Sequence, residues 1–128
     1  MSNRWRAMGL ASVLCLVTPA SWANTVRIES GAVEGTSGNG LAVYKGVPFA
    51  APPIGDLRWR EPRPVTPWEG TRKATAFAPA CMQKGVSMPG EKPPAVSEDC
   101  LYLNIWTPAM AAGERLPVMV WILSLIHI

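Results

Sequence analysis

The sequence predicts an α/β chain: short strands come first, and the last apolar run has the composition of a strand in a larger, mostly parallel sheet. Two observations carry this. Residues 101–106, LYLNIW, alternate strictly, with Leu101, Leu103 and Ile105 on one face and Tyr102, Asn104 and Trp106 on the other. Residues 116–122, LPVMVWI, are continuously apolar and rich in β-branched residues, as in a strand covered on both faces by crossover helices. No convincing amphipathic helix lies between residues 24 and 128, so the crossovers that such a sheet requires are missing. The sequence thus predicts an incomplete architecture.

At 128 residues the chain has room for one domain. Residues 1–23 read as a secretory signal peptide: a basic start (MSNRWR), an apolar core (AMGLASVLCLV) and a TPASWA boundary with small residues at Ser21 and Ala23. Cleavage is expected between Ala23 and Asn24, which makes the protein secreted or periplasmic, with no membrane attachment afterwards. The apolar core of 11 residues is short of the ~20 needed for a spanning anchor. Removing Arg4 and Arg6 lowers the formal charge from +3 to +1, which gives no case for a nucleic-acid partner. Cys15 leaves with the leader. The remaining Cys81 and Cys100 either form one bridge, which an exported chain favours, or stay as two thiols.

Residues 25–50 alternate apolar and polar side chains between Gly-rich turns, the pattern of small antiparallel strands, with Val26 and Ile28 on one face. Residues 51–70 carry Pro52, Pro53, Pro62, Pro64 and Pro67, which deny the backbone regular hydrogen bonds; an irregular wrap anchored by Trp59 and Trp68 is expected. Residues 82–99 are rich in Gly, Pro and charge and read as a surface loop between the two cysteines.

The stretch SEDCLYLNIWTP, Ser97 to Pro108, resembles the EDCLYLN signature of type-B carboxylesterases, the secreted α/β-hydrolase family that includes cholinesterases and lipases. GAVEG, YKGVPFAAPPIGDLRWREPRP and Cys81 precede it in the family's order, so the resemblance covers residues 26–122. It implies the amino-terminal portion of an α/β-hydrolase fold over residues 24–122, a Cys81–Cys100 disulfide and a structural ion pair between Arg58 and Glu98, where the residues alone would also allow solvated charges. It implies hydrolysis of a small-molecule carboxylic ester through a serine nucleophile, a histidine base and an orienting acid, with no cofactor and no metal.

In such proteins a strand like LPVMVWI leads into a His-Gly-Gly loop that helps form the oxyanion hole, and a Gly-x-Ser-x-Gly elbow follows. Here Ile122 is followed by LSLIHI; the chain has no Gly-x-Ser-x-Gly, and its single histidine is His127. Ser124 and His127 have no acid after Glu114 and no Gly-rich donor loop to work with. No catalytic residue is therefore assigned, and the 128-residue chain is expected to be inactive. Residues 123–128 resemble the translation of a transposase sequencing adapter and are expected to be non-native.

Cholinesterases place a tryptophan in the first disulfide loop to hold a quaternary ammonium by cation–π attraction. Residues 82–99 contain no aromatic side chain, which disfavours choline esters and leaves a general carboxylic ester. Two other readings compete: a non-catalytic binding or adhesion protein on the same scaffold, and a small secreted binding domain in its own right. Oligomeric state is not encoded in any motif.

Overall fold

A computed structural model describes residues 24–83, 92–111 and 113–122. The expected signal peptide of residues 1–23, with its expected Ala23–Asn24 boundary, and the tail at 123–128 therefore lie outside the described residues, apart from Asn24 itself.

Among the described residues eight short strands form two three-stranded sheets and a two-residue bridge. In the first sheet, β1 (Thr25–Ile28) pairs antiparallel with β2 (Gly31–Glu34), and β5 (Thr71–Lys73) lies parallel to β2 on its other side. In the second, β3 (Thr36–Gly38) turns back into β4 (Leu41–Pro48), which pairs along its other edge with β8 (Tyr102–Thr107). The β3–β4 turn is Asn39–Gly40, both at positive φ (52° and 76°), the two-residue geometry whose twist suits a hairpin. The bridge joins β6 (Ala80–Cys81) to β7 (Val96–Ser97) in parallel.

The sheets meet at Ala74, which is 1% exposed. Its N–H donates to the Glu34 carbonyl at 2.7 Å, and its own carbonyl accepts from Lys45 N–H at 2.8 Å, so one residue joins β2 to β4. Around it Val33, Tyr44 and Val47 complete a small core, against which Ile28, Ala42 and Trp68 pack. Ile28 and Val26 share a face as the alternation requires, but Val26 stays exposed.

β4 would run straight were it not for Gly46. At φ +68° this residue produces a bulge between Tyr44 and Val47, and an added Cβ would lie 2.9 Å from the Ala76 carbonyl oxygen. The N–H freed from the ladder donates to Asn104 Oδ1 at 2.9 Å, so the asparagine of LYLNIW closes the gap left by the bulge.

The proline-rich wrap has one 3-10 turn, Gly55–Leu57, and is otherwise irregular, as its prolines require. Its two tryptophans behave differently. Trp68 anchors the wrap: its backbone N–H donates to Ser30 O, its indole N–H donates to Ala32 O at 2.9 Å, and its ring covers Gly31, where a Cβ would sit 2.6 Å from Nε1. Trp59 does not anchor it. The preceding Arg58 is tied to Glu98, and Trp59, at φ +59°, is turned fully outward.

Residues 116–122 also depart from expectation. They form no strand, with Val118, Met119, Val120, Trp121 and Ile122 all 75% exposed or more. A strand exists through its ladder, and no strand lies beside this run among the described residues. An exposed run of such composition is an aggregation hazard.

Gly46→Ala is expected to lower stability by about 1–3 kcal/mol, from the positive φ and the clash with Ala76. Gly38→Ala, with open space around its Cα, should change it by less than about 1 kcal/mol. Denaturant midpoints of the two variants, compared with the parent, measure the difference.

Candidate functional site: the clamp around Cys100

Every polar or sulfur side chain of the segment Glu98–Asn104 other than the backbone itself is tied to something. Cys100 is joined to Cys81 across a sequence separation of 19, with Cα atoms 5.0 Å apart, and the adjoining β6–β7 bridge fixes the same two chain ends. Glu98 Oε2 accepts from Arg58 Nη2 at 2.6 Å, which holds the proline-rich wrap against the loop's return. Asp99 Oδ2 accepts from the Tyr102 hydroxyl at 3.0 Å, while Asp99 N–H donates to Ser97 Oγ at 3.1 Å, a local turn that aims the carboxylate forward. Asn104 then caps the β4 bulge.

Leu101 O accepts from Phe49 N–H at 3.1 Å, carrying β8 past the end of its regular pairing with β4. The segment is thus a clamp that fastens the wrap, the loop and the second sheet to one another.

Electrostatics follow the same contacts. The Arg58 guanidinium is held above its ordinary range, first by its hydrogen bond to Glu98 and then by that residue's charge. Both side chains are open to water, 57% and 40% exposed, so solvent screens the pair and its value lies mainly in direction. The Tyr102 hydroxyl is pushed up, by burial first and then by its bond to Asp99, while Arg72 opposes the shift. That arginine lies with its guanidinium carbon 5.7 Å from the Tyr102 ring centre and 5.6 Å from that of Trp68.

A cavity of about 250 Å³ beside the clamp is lined by Pro53, Arg58, Trp59, Met82, Glu98 and Cys100. It contains a guanidinium and a carboxylate, but they neutralise each other, and no hydroxyl nucleophile lines it. Among the described residues no group of three His, Cys, Asp or Glu side chains could hold a metal, and no helix is long and apolar enough to cross a membrane. What the clamp does chemically is hold geometry.

The structure brings together the four residues singled out in the sequence, Cys81 with Cys100 and Arg58 with Glu98. Sequence reasoning missed Asp99–Tyr102 and Asn104–Gly46. The first had a signal, a carboxylate three residues before a tyrosine. The second had none, because a bulge 58 residues away is invisible in a local pattern.

The family profile described as Carboxylesterase family matches residues 23–124. The chain belongs to the carboxylesterase family. Among curated members it is 50% identical over 94 residues to a fumonisin B1 esterase of Sphingopyxis macrogoltabida, covering 73% of this chain and 17% of that protein. It is 46% identical over 100 residues to a phenmedipham hydrolase of Pseudarthrobacter oxydans, covering 73% of this chain and 20% of that one. A solved PNB esterase superposes with a TM-score of 0.71 at 40% identity, covering 78% of this chain and 21% of the other.

The solved esterase has the α/β-hydrolase fold, and the strands among the described residues are part of it. The chain spans about a fifth of the length of these relatives. In this carboxylesterase chain, then, the EDCLYLN signature is a run of fastenings rather than of reacting groups.

Replacing Cys81 and Cys100 together by serine is expected to cost about 3 kcal/mol in the oxidised protein, from the loop entropy restored to the unfolded chain. Urea midpoints with and without a reductant measure it, and the reductant should affect only the parent. Because the Tyr102 pKa is raised on folding, the stability it contributes is complete below the ordinary tyrosine range and is lost as pH rises through the folded value. Tyr102→Phe should therefore flatten the alkaline decline in melting temperature.

Proposed function

We propose that this chain is the amino-terminal part of an exported carboxylic-ester hydrolase, with residues 1–23 as a cleaved signal peptide and residues 24–122 as the opening of the esterase domain. The observation that carries the reading is the relatedness at 50% and 46% identity to proteins named for hydrolysis, an esterase and a hydrolase, across 73% of this chain. Export is supported by the leader pattern and by the Cys81–Cys100 geometry, since disulfides persist in oxidising compartments.

The reaction is acyl transfer. A serine hydroxyl, relieved of its proton by a histidine that an acid orients, attacks the ester carbonyl; the alcohol leaves, and water then releases the acid. Backbone donors stabilise the oxyanion formed at each step, and removing one such donor costs about 10²–10³ in rate. In this reading those groups follow the sequence shown, the substrate is a general carboxylic ester, and the clamp supplies the rigid floor on which they are mounted.

The test has three measurements. The locus is sequenced past the codon for Ile122, where a His-Gly-Gly loop and a later Gly-x-Ser-x-Gly elbow are expected. The completed protein and the 128-residue chain are assayed on a short-chain aryl ester, with turnover expected only from the former and abolished by alanine at the elbow serine. Amino-terminal sequencing of exported protein should begin at Asn24. A completed protein without the elbow serine would instead make it a binding protein on an esterase scaffold.

A further inference from the structure

The tip of the β3–β4 hairpin carries chemistry of its own. Its two turn residues, Asn39 and Gly40, sit at φ 52° and 76°, and every residue from Thr36 to Leu41 is exposed. Among the described residues no hydrogen bond engages the Asn39 carboxamide or the Gly40 N–H: the ladder pairs Gly38 with Leu41, and the loop amide falls outside it. An added Cβ would meet nothing within 4 Å at either Gly38 or Gly40, so the space around the tip is open.

An asparagine in this setting faces a nucleophile in its own backbone. The Gly40 nitrogen can reach Asn39 Cγ by closing a five-membered ring, and glycine brings no side chain to obstruct the approach. The other two asparagines among the described residues lack this opening. Asn24 precedes the β-branched Thr25, and its Nδ2 donates to Ser37 Oγ at 3.2 Å. Asn104 precedes the β-branched Ile105 within β8, and its Oδ1 accepts from Gly46 N–H at 2.9 Å. The residue pair that suits the tight turn is also the one that leaves amide and carboxamide free to react.

We propose that Asn39 is a site of spontaneous modification, in which its side-chain amide is replaced by a carboxylate. The Gly40 nitrogen gives its proton to hydroxide and bonds to Asn39 Cγ; the Cγ–Nδ2 bond breaks, and Nδ2 leaves as ammonia with a proton from water. The succinimide so formed takes up one water. Opening at Cγ restores the main chain and yields aspartate; opening at the Asn39 carbonyl carbon routes the chain through Cβ and Cγ and yields isoaspartate. The two products differ in the fold they permit. Asp-Gly suits the same turn. Isoaspartate adds a main-chain atom to a loop whose length sets the register, so the pairing of Gly38 with Leu41 is lost first. β3 has three residues, all exposed, and no buried side chain to hold it, while β4 stays paired with β8. The step needs only the hairpin and water.

The experiment incubates the purified protein at rising pH, beside a linear peptide of residues 36–43, and maps both by mass spectrometry with electron-transfer fragmentation, which distinguishes isoaspartate from aspartate. Conversion at Asn39 is expected in proportion to hydroxide and within about tenfold of the peptide's rate, because an exposed tip with few contacts opens at little cost. It should exceed conversion at Asn24 and Asn104 by about tenfold or more, since β-branched neighbours shield their amides. In the separated isoaspartyl form the β3 amides should exchange hydrogen faster than in the parent, and the β8 amides no faster. Asn39→Gly keeps a turn-forming Gly-Gly pair and should abolish the product while retaining the fold. Conversion at Asn39 slower than the peptide's by more than that margin shows that the turn protects the asparagine and overturns the proposal, as does equal conversion at all three asparagines.

Discussion

The left-handed turn of the chain at Gly46 is the constraint on which the two sheets depend. β3 pairs only with Leu41–Val43, so the edge of β4 beyond it is open, and there the Lys45 N–H reaches Ala74 O. On the β8 side the bulge frees the Gly46 N–H, which reaches Asn104. Ala74 in turn bonds Glu34. The core of Val33, Tyr44, Val47 and Ala74 forms where these bonds converge, so the hydrophobic contact and the polar junction are one place.

Such a core is small, and the described part of the chain compensates with tethers between segments distant in sequence. The disulfide, the parallel two-residue bridge, the Trp68 indole bond and the Arg58–Glu98 pair each connect segments that share little buried surface. This is the expected division of labour where apolar burial alone is too limited to fix loops. It also explains why the family's most legible signature is structural: each of its polar side chains fastens a different segment, so the spacing of the residues is set by the segments they must reach.

Much of this was legible in the sequence, and the failures share a cause. LYLNIW declared its strand by alternation, and the prolines declared an irregular wrap, because both signals are local. Arg58 with Glu98 and Cys81 with Cys100 came through resemblance to a family, since composition alone left solvated charges and free thiols open. Trp59 was misjudged because burial depends on what the chain packs against, and its neighbour's bond to Glu98 turns it away. Residues 116–122 have the composition of a strand, yet a strand needs an adjacent edge. The parallel pairings β2–β5 and β6–β7 join segments separated by long connections, which no short-range pattern encodes.

The separation between the bulge and its asparagine has a consequence for synthesis. The Gly46 N–H and the Asn104 side chain that receives it are 58 residues apart, so on a ribosome adding about 5–20 residues per second the amide waits roughly 3–12 s for its acceptor. Through that interval the outer edge of β4 is open, carrying Tyr44 and Val47, two of the residues destined for the core. Hairpin closure with β3 takes microseconds and can protect only the inner edge. The nascent chain therefore passes through a period in which half a sheet is built and its other half is still untranslated. A chaperone that engages extended apolar edges would find its substrate in that period.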